Sequence, residues 1–239
     1  MLALILFLIA SIATLAVISF LTRTEEKERI RRQSQRKMKI QAESMIEIIS
    51  CLEQITPTRM IPKLINDEVI NLLTAISQLD KSPPPHLLST IERAQLRSKE
   101  LMNSQNKAKI SYHKESDSQI KYAQFQLGEG VKVLRQLHTK SIITDSELSS
   151  YESELSWASL MVGLASQIAQ GQEFAALGDN STAQEYFKKA QQTLLQSVHQ
   201  DSRRQSMIKE LDEMIAGTRR AMSKHLLAEQ STLAPAAAF

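Results

Sequence analysis

MLALILFLIASIATLAVISFL, residues 1–21, contains no charged side chain, and the first basic residue, Arg23, comes two positions later. Leu, Ile, Phe or Val occupies thirteen of these positions, which favours membrane insertion by about 4 to 8 kcal/mol. A helix rising about 1.5 Å per residue spans the roughly 30 Å hydrocarbon core over this length. The sequence therefore predicts a transmembrane helix at residues 1–22.

A cleaved signal peptide is the alternative interpretation of this segment. Such a peptide has a basic region before a shorter apolar core and small residues at its cleavage site. Here no basic side chain comes before the apolar run, and Phe20-Leu21-Thr22-Arg23 is a poor cleavage site. The pattern favours a retained anchor.

A cluster of basic residues follows the apolar run and predicts its orientation. An excess of Lys and Arg beside a span keeps that side in the cytoplasm. We therefore expect an integral single-pass membrane protein, with its N-terminus outside and its C-terminus in the cytoplasm. The single cysteine, Cys51, is consistent with a reducing compartment. The topology-determining residues are Arg23, Lys27, Arg29, Arg31 and Arg32, and the cluster continues with Arg36, Lys37 and Lys39.

The composition of the whole chain predicts an all-α protein. Aromatic residues make up only 5% of the sequence, and there are six glycines, whereas strands favour aromatic and β-branched residues. The net charge of +3 owes its sign to the basic cluster. Because the remaining residues are nearly neutral, we expect no nucleic-acid surface.

Residues 23–56 are predicted to form a basic juxtamembrane stalk helix. Between Arg23 and Lys39 only two side chains are apolar, so no continuous apolar face exists to lie on lipid. Further along, four residues repeat at spacings of 3, 4 and 3, which is typical of a coiled-coil seam. That seam could pack on the protein's own helices or on a second copy, which would make a homodimer. Its residues are Met45, Ile48, Leu52 and Ile55.

Prolines and changes in composition divide the rest of the chain. Residues 57–102 are predicted to form a helical hairpin that turns at Pro83-Pro84-Pro85. Residues 103–119 are either a polar linker or a polar helical extension, with a soft domain boundary there. Residues 120–229 are predicted to form a second helical domain, and residues 230–239 are predicted to form a disordered tail.

Two helices of the second domain are predicted from helical spacing. The first, residues 120–138, carries Phe125 on its apolar side. The last runs from Asp201 to Glu229 without a break. Its apolar face consists of Met207, Leu211, Met214, Ile215, Met222 and Leu226.

A helix start is encoded between these two helices. Thr144 with Glu147 fits a capping box, in which the side chain of each residue accepts a hydrogen bond from the backbone N–H of the other. The segment Ile142-Ile143-Thr144-x-x-Glu147-Leu148 resembles a short helical-hairpin module, often found at the C-termini of bacterial proteins, with a Gly-Ile-Ile-Thr-x-Glu-Glu-Phe turn. The resemblance covers residues 131–155, although Ser141 replaces the Gly and Leu148 the Phe. It implies two helices joined by a turn, and a bacterial source, so the expected membrane is the bacterial inner membrane.

Residues 164–195 resemble a single tetratricopeptide repeat, a two-helix unit with small residues where its helices cross. The matching residues are Gly171, Phe174, Gly178, Asp179, Ala183, Phe187 and Ala190. Gln167 and Leu195 stand where the repeat usually has Trp and Pro. The resemblance implies a packed hairpin, in which Gly178 adopts positive φ and Asp179 or a neighbour caps the second helix.

One repeat cannot form the peptide groove that several stacked repeats make together. The residues on the inner face of the hairpin are therefore expected to be buried against neighbouring helices. They are Ile168, Ala169, Gln172, Ala175 and Ala176.

The sequence offers no catalytic pattern. The five histidines form no i, i+4 pair, and there is one cysteine, so a metal site is not expected. Nucleotide-binding and nucleophile motifs are missing from the sequence as well. We expect no enzyme, cofactor or small-molecule substrate.

Two hypotheses for the function follow. The first is a membrane-anchored helical scaffold or adaptor that mediates protein–protein interaction at the cytoplasmic face. The second is a sensor or regulatory subunit of an envelope complex that signals through the stalk.

Overall fold

The computed structural model describes the backbone of residues 2–80, 82–103 and 110–227, and their side chains except those of residues 2–21, 24 and 224. Within these ranges every regular element is a helix, which confirms the all-α prediction. The helices are α1 (Leu2–Ile55), α2 (Met60–Leu79), α3 (Pro85–Asn103), α4 (Asp117–Thr139), α5 (Asp145–Ala176), α6 (Asn180–Gln196), α7 (Arg203–Ile215) and α8 (Lys224–Leu227).

Helix α1 continues without a break through the predicted anchor and the predicted stalk. The side chains of residues 25–30 are exposed, Arg31 is half-buried, and Ala42 is only 1% exposed. Most of the side chains between Arg31 and Ala42 are exposed as well, so α1 reaches the packed part of the bundle only toward Ala42. We call residues 22–30 of this helix the shaft.

The transmembrane helix predicted at residues 1–22 stays a prediction. Residues 1–21 of that segment lie outside the described side chains. Among the residues that are described, no helix combines the length and hydropathy needed to cross a membrane.

The buried end of α1 packs on the chain's own helices. Helix α2 contacts both α1 and α3, while α4 contacts α1 and α5. The four seam residues, Met45, Ile48, Leu52 and Ile55, are at most 2% exposed within one chain. Of the two occupants that the sequence left open, the protein's own helices therefore cover this seam, and it offers no free surface to a second copy.

Polar contacts attach the α2–α3 hairpin to α1 and fix its two helices to each other. The Arg97 guanidinium donates two hydrogen bonds of 2.9 Å to the Glu53 carboxylate. The side-chain amide of Asn66, which is 1% exposed, donates to the Ala94 carbonyl at 2.8 Å. These bonds satisfy polar groups that burial would otherwise leave unpaired.

The segment between α3 and α4 crosses the bundle without helical structure in residues 110–116, while residues 104–109 lie outside the described part. The Ser111 N–H donates to the Gln54 carbonyl at 3.0 Å, and the Lys114 N–H donates to Ser166 Oγ at 2.9 Å. Tyr112 is 4% exposed. Buried residues before and after this segment belong to one core, so the soft boundary at 103–119 does not separate two cores.

The structure corrects the prediction that Phe125 lies on the apolar side of its helix, since its side chain is 60% exposed. The reason is helical register: a spacing of 3 and 4 along the buried face skips position 125. The buried residues of that face include Ile120, Ala123, Leu127, Leu134 and Leu137.

The predicted unbroken helix at 201–229 is also wrong in the described range. Helix α7 ends at Ile215, and Gly217 has φ 75°, a left-handed conformation that favours glycine. Met222 and Leu226 are buried as expected, but a turn brings them to the core.

Candidate protein-binding groove

Helix α5 starts at the predicted capping box, which the structure confirms. Thr144 Oγ1 accepts from the Glu147 N–H at 3.3 Å, and the Thr144 N–H donates to Glu147 Oε2 at 2.8 Å. The Thr144 N–H and the Thr144 hydroxyl both donate to Glu147 Oε2, and these two bonds lower the pKa of the Glu147 carboxyl. Ser141, where the resembled module has Gly, has φ 57°. The turn thus uses a left-handed backbone that glycine would adopt without strain.

The turn from α5 to α6 also forms as predicted. Gly178 has φ 85°, and the Asp179 N–H donates to the Phe174 carbonyl at 3.0 Å. Asp179 Oδ1 then accepts from the Thr182 N–H at 3.1 Å, which caps α6. Hydrogen bonding to Thr182 lowers the pKa of the Asp179 carboxyl, because the charged form accepts these bonds.

Helices α5 and α6 approach closely at Gly171. A Cβ placed on Gly171 would lie 2.5 Å from Cε1 of Phe187, closer than two carbon atoms can pack. Phe187 is 4% exposed, while Ala183 and Ala190 on the same side of α6 are 2% and 0% exposed. The small residues and the ring therefore pack at the crossing.

A second aromatic contact closes the outer side of the hairpin. Phe174 is half-buried and stacks on Tyr186, with ring centroids 5.5 Å apart and an interplanar angle of 10°. This geometry is one that aromatic pairs favour. This contact and the crossing at Gly171 both hold α6 against α5.

Helix α7 packs on α6, and its end is fixed by charged groups. Arg219 Nε donates to Glu213 Oε2 at 2.8 Å, and its Nη1 lies 3.3 Å from Glu210 Oε2. Ser223 donates to Glu210 through its hydroxyl at 2.6 Å and its N–H at 2.7 Å. Desolvation disfavours the Glu210 carboxylate, but the bonds from Ser223 and the charge of Arg219 outweigh it and lower the pKa of Glu210.

An open groove of about 700 Å³ lies where α5, α6 and α7 meet, and we call it the α5–α7 groove. Its apolar lining comes from Ala175, Ala176, Ala183, Phe187 and Met214. Its polar lining comes from Gln172, Asn180, Gln184, Arg219 and Arg220. This volume falls within the range typical of ligand-binding clefts.

The groove corrects the expectation for the inner face of the hairpin. Ile168 is 1% exposed, as expected, but Ala175 and Ala176 are exposed. Helix α7 ends before it covers them, because its last residue is Ile215. The predicted small residues thus lie beside a free surface.

Arg219 and Arg220 were missed by the sequence argument, which placed them in a continuous helix. The available signal was Ala216-Gly217, since glycine directly after the last periodic residue is a helix stop. Arg219 is paired with two glutamates, whereas Arg220 is exposed, and no carboxylate in the described part of the chain pairs with it.

The predicted topology-determining residues lie far from this groove, on α1. Arg23, Lys27, Arg29 and Arg32 are exposed, and Arg31 is half-buried. Arg32 Nη2 lies 3.3 Å from Glu28 Oε2, a contact between two well-exposed side chains. The structure thus brings the basic cluster and the tetratricopeptide-like residues to different parts of the molecule.

No group of three or more His, Cys, Asp or Glu side chains that could hold a metal ion occurs among the described residues. Comparison of the chain with protein-family models, with curated proteins and with solved structures found no match. The α5–α7 groove is therefore the candidate site on geometric grounds alone.

Proposed function

We propose that this chain is a single-pass membrane-anchored helical adaptor that binds protein partners through the α5–α7 groove at the cytoplasmic face. The observation that carries the proposal is the exposure of Ala175 and Ala176 beside buried Phe187. Apolar methyl groups next to amide and guanidinium groups suit a protein segment, which presents both apolar side chains and a hydrogen-bonding backbone.

The anchor in this proposal rests on the apolar run and the basic cluster. Between Leu21 and Arg31 the helix rises about 15 Å. The headgroup region on one side of a bilayer is only about 5–7 Å thick. The shaft would therefore hold the bundle clear of the headgroups, which leaves the bundle surface accessible to other proteins.

Copurification from gently solubilised membranes tests the adaptor function. Ala176→Trp fills the groove with an indole, and Ser150→Trp places the same side chain on an exposed position of α5 outside the groove. We expect proteins that copurify with the original chain to be retained by Ser150→Trp and lost from Ala176→Trp. Recovery of the same proteins with both variants would contradict a role for the groove.

A sensor that signals through the stalk is the second candidate. The observation in its favour is that α1 is continuous from Leu2 to Ile55, where its last residue is 0% exposed. Movement of the anchor would therefore reach the core directly. Replacing Lys27 and Glu28 with two glycines would interrupt the shaft, because glycine costs about 1 kcal/mol per helix position.

The glycine variant separates the two candidates. An adaptor needs only attachment, so its groove-dependent partners should still copurify with the variant. Loss of those partners, with the variant still present in membranes, would favour the sensor.

A further inference from the structure

Two charged residues of the described chain, Arg219 and Arg220, line the α5–α7 groove. Arg219 is already paired with Glu210 and Glu213 on α7. Arg220 is exposed at the rim, so it is the cation available to a bound group.

Hydrogen-bonding side chains also line the groove. Gln172 on α5 and Asn180 at the start of α6 line it, and each carries an amide that both donates and accepts. Ala175 and Ala176 add exposed apolar surface to the same lining. An occupant must therefore combine a hydrogen-bonding chain, small apolar groups and a negative charge.

We infer that the α5–α7 groove binds a protein segment in which small apolar residues lie beside an acidic side chain that pairs with Arg220. This inference rests on the proposed adaptor function and adds the chemistry of the partner. The positive charge of Arg220 favours an acidic residue in the partner. The small side chains of Ala175 and Ala176 leave room in the groove for small apolar residues of the partner.

A random dodecapeptide library displayed on phage, selected on the full-length chain in lipid nanodiscs, tests the inference. We expect enrichment of peptides that carry Asp or Glu next to small apolar residues. One enriched peptide, synthesised with a fluorophore, then gives dissociation constants by anisotropy. Its counterpart, with Asn or Gln for each acidic residue, should bind less tightly.

Charge reversal at the rim provides the matched variant. Because an exposed ion pair contributes up to about 1 kcal/mol, and reversal adds a repulsion of similar size, Arg220→Glu should weaken the acidic peptide by about tenfold or more. Arg93→Glu changes an exposed arginine of α3 and should leave the dissociation constant unchanged. Selection on Arg220→Glu should enrich Lys or Arg instead.

The inference would be overturned by failure to enrich any peptide, by enrichment without acidic residues, or by equal affinity of the acidic peptide for Arg220→Glu and the original chain. Enriched peptides that match a segment of this chain would assign the groove to a second copy of the chain. That result would also overturn the inference that a different protein binds there. If partners sensitive to Ala176→Trp still copurify in any of these cases, the adaptor function stands and only the partner chemistry is wrong.

Discussion

Two regions of the bundle, the α1–α2–α4 side and the α5–α6–α7 corner, both bury apolar residues. They differ in whether a neighbouring helix covers the end of the packed helix. Helices α2 and α4 contact the buried part of α1, so Leu52 and Ile55 are 0% exposed. Helix α7 ends at Ile215, and Ala176 stays exposed. Helix length, more than apolar content, thus decides which side remains open for binding.

The largest expected effect concerns the floor of the open corner. Phe187→Ala should lower the free energy of unfolding by about 3–5 kcal/mol, because it removes a buried ring and leaves a cavity against Gly171. Phe125→Ala is the control, since that side chain is 60% exposed on α4, and it should change stability by less than about 0.5 kcal/mol. Urea unfolding of the full-length variants in detergent measures both.

Equal losses for the two phenylalanine variants would contradict the packing described for the corner. They would place the ring of Phe125 in a buried environment that the structure does not give it.

A smaller effect is expected where α5 and α6 cross. Gly171→Ala places a methyl group 2.5 Å from the Phe187 ring, which has little space to move because it is 4% exposed. Overpacking of this kind costs about 1–3 kcal/mol. Gly128→Ala is the matched control, since a Cβ there meets nothing within 4 Å. It should be neutral or stabilising, as alanine favours helices. A stabilised Gly171→Ala would show that the crossing is looser than described.

Acid should loosen the open corner at the end of α7. The pKa of Glu210 is lowered in the folded chain, so its ionisation stabilises the fold at pH values above its ordinary value of 4.5. That stabilisation is lost as the pH falls below 4.5 and the carboxylate takes up a proton. Glu210→Gln should therefore have a smaller decrease in Tm between pH 6 and pH 3 than the original chain. The prediction fails if the two Tm profiles are parallel over this range.

The smallest effect concerns the closed side, at Cys51. Burial raises the pKa of this half-buried thiol, and the charge of Lys114 only partly opposes the shift. Less thiolate is then present at neutral pH, so iodoacetamide should react more slowly with the folded chain than with the urea-unfolded chain. Rapid disulfide-linked dimer formation in membranes would contradict the closed arrangement, because it requires Cys51 to meet a second copy.

The sequence predicts local features well where a residue type is favoured by one particular backbone conformation or hydrogen-bonding position. Gly178 at positive φ and the Thr144–Glu147 capping box both follow from such rules, and the structure contains both of them. Phe125 was misplaced because spacing alone does not identify which of two adjoining helical stripes is buried. The seam on α1 left two occupants open for another reason: an apolar stripe indicates that it is covered, but it does not indicate by which helices.

The groove was not predictable because it depends on where one helix stops relative to another. Gly217 signals the stop of α7, yet the exposure of Ala176 follows only from the way in which α7 packs on α6. Arg220 becomes part of the site through the same turn. Hydrophobic periodicity describes each helix separately, so it gives no information about where one helix ends relative to its neighbour.

The central claim is that the open corner, and not the closed side, meets a protein partner at the membrane. Photo-crosslinking in intact cells tests it directly, with benzoylphenylalanine placed at Ala176 in one variant and at Ser150 in another. We predict a discrete protein adduct from position 176 that position 150 does not form. The same adducts from both positions, or none from position 176, would contradict the account.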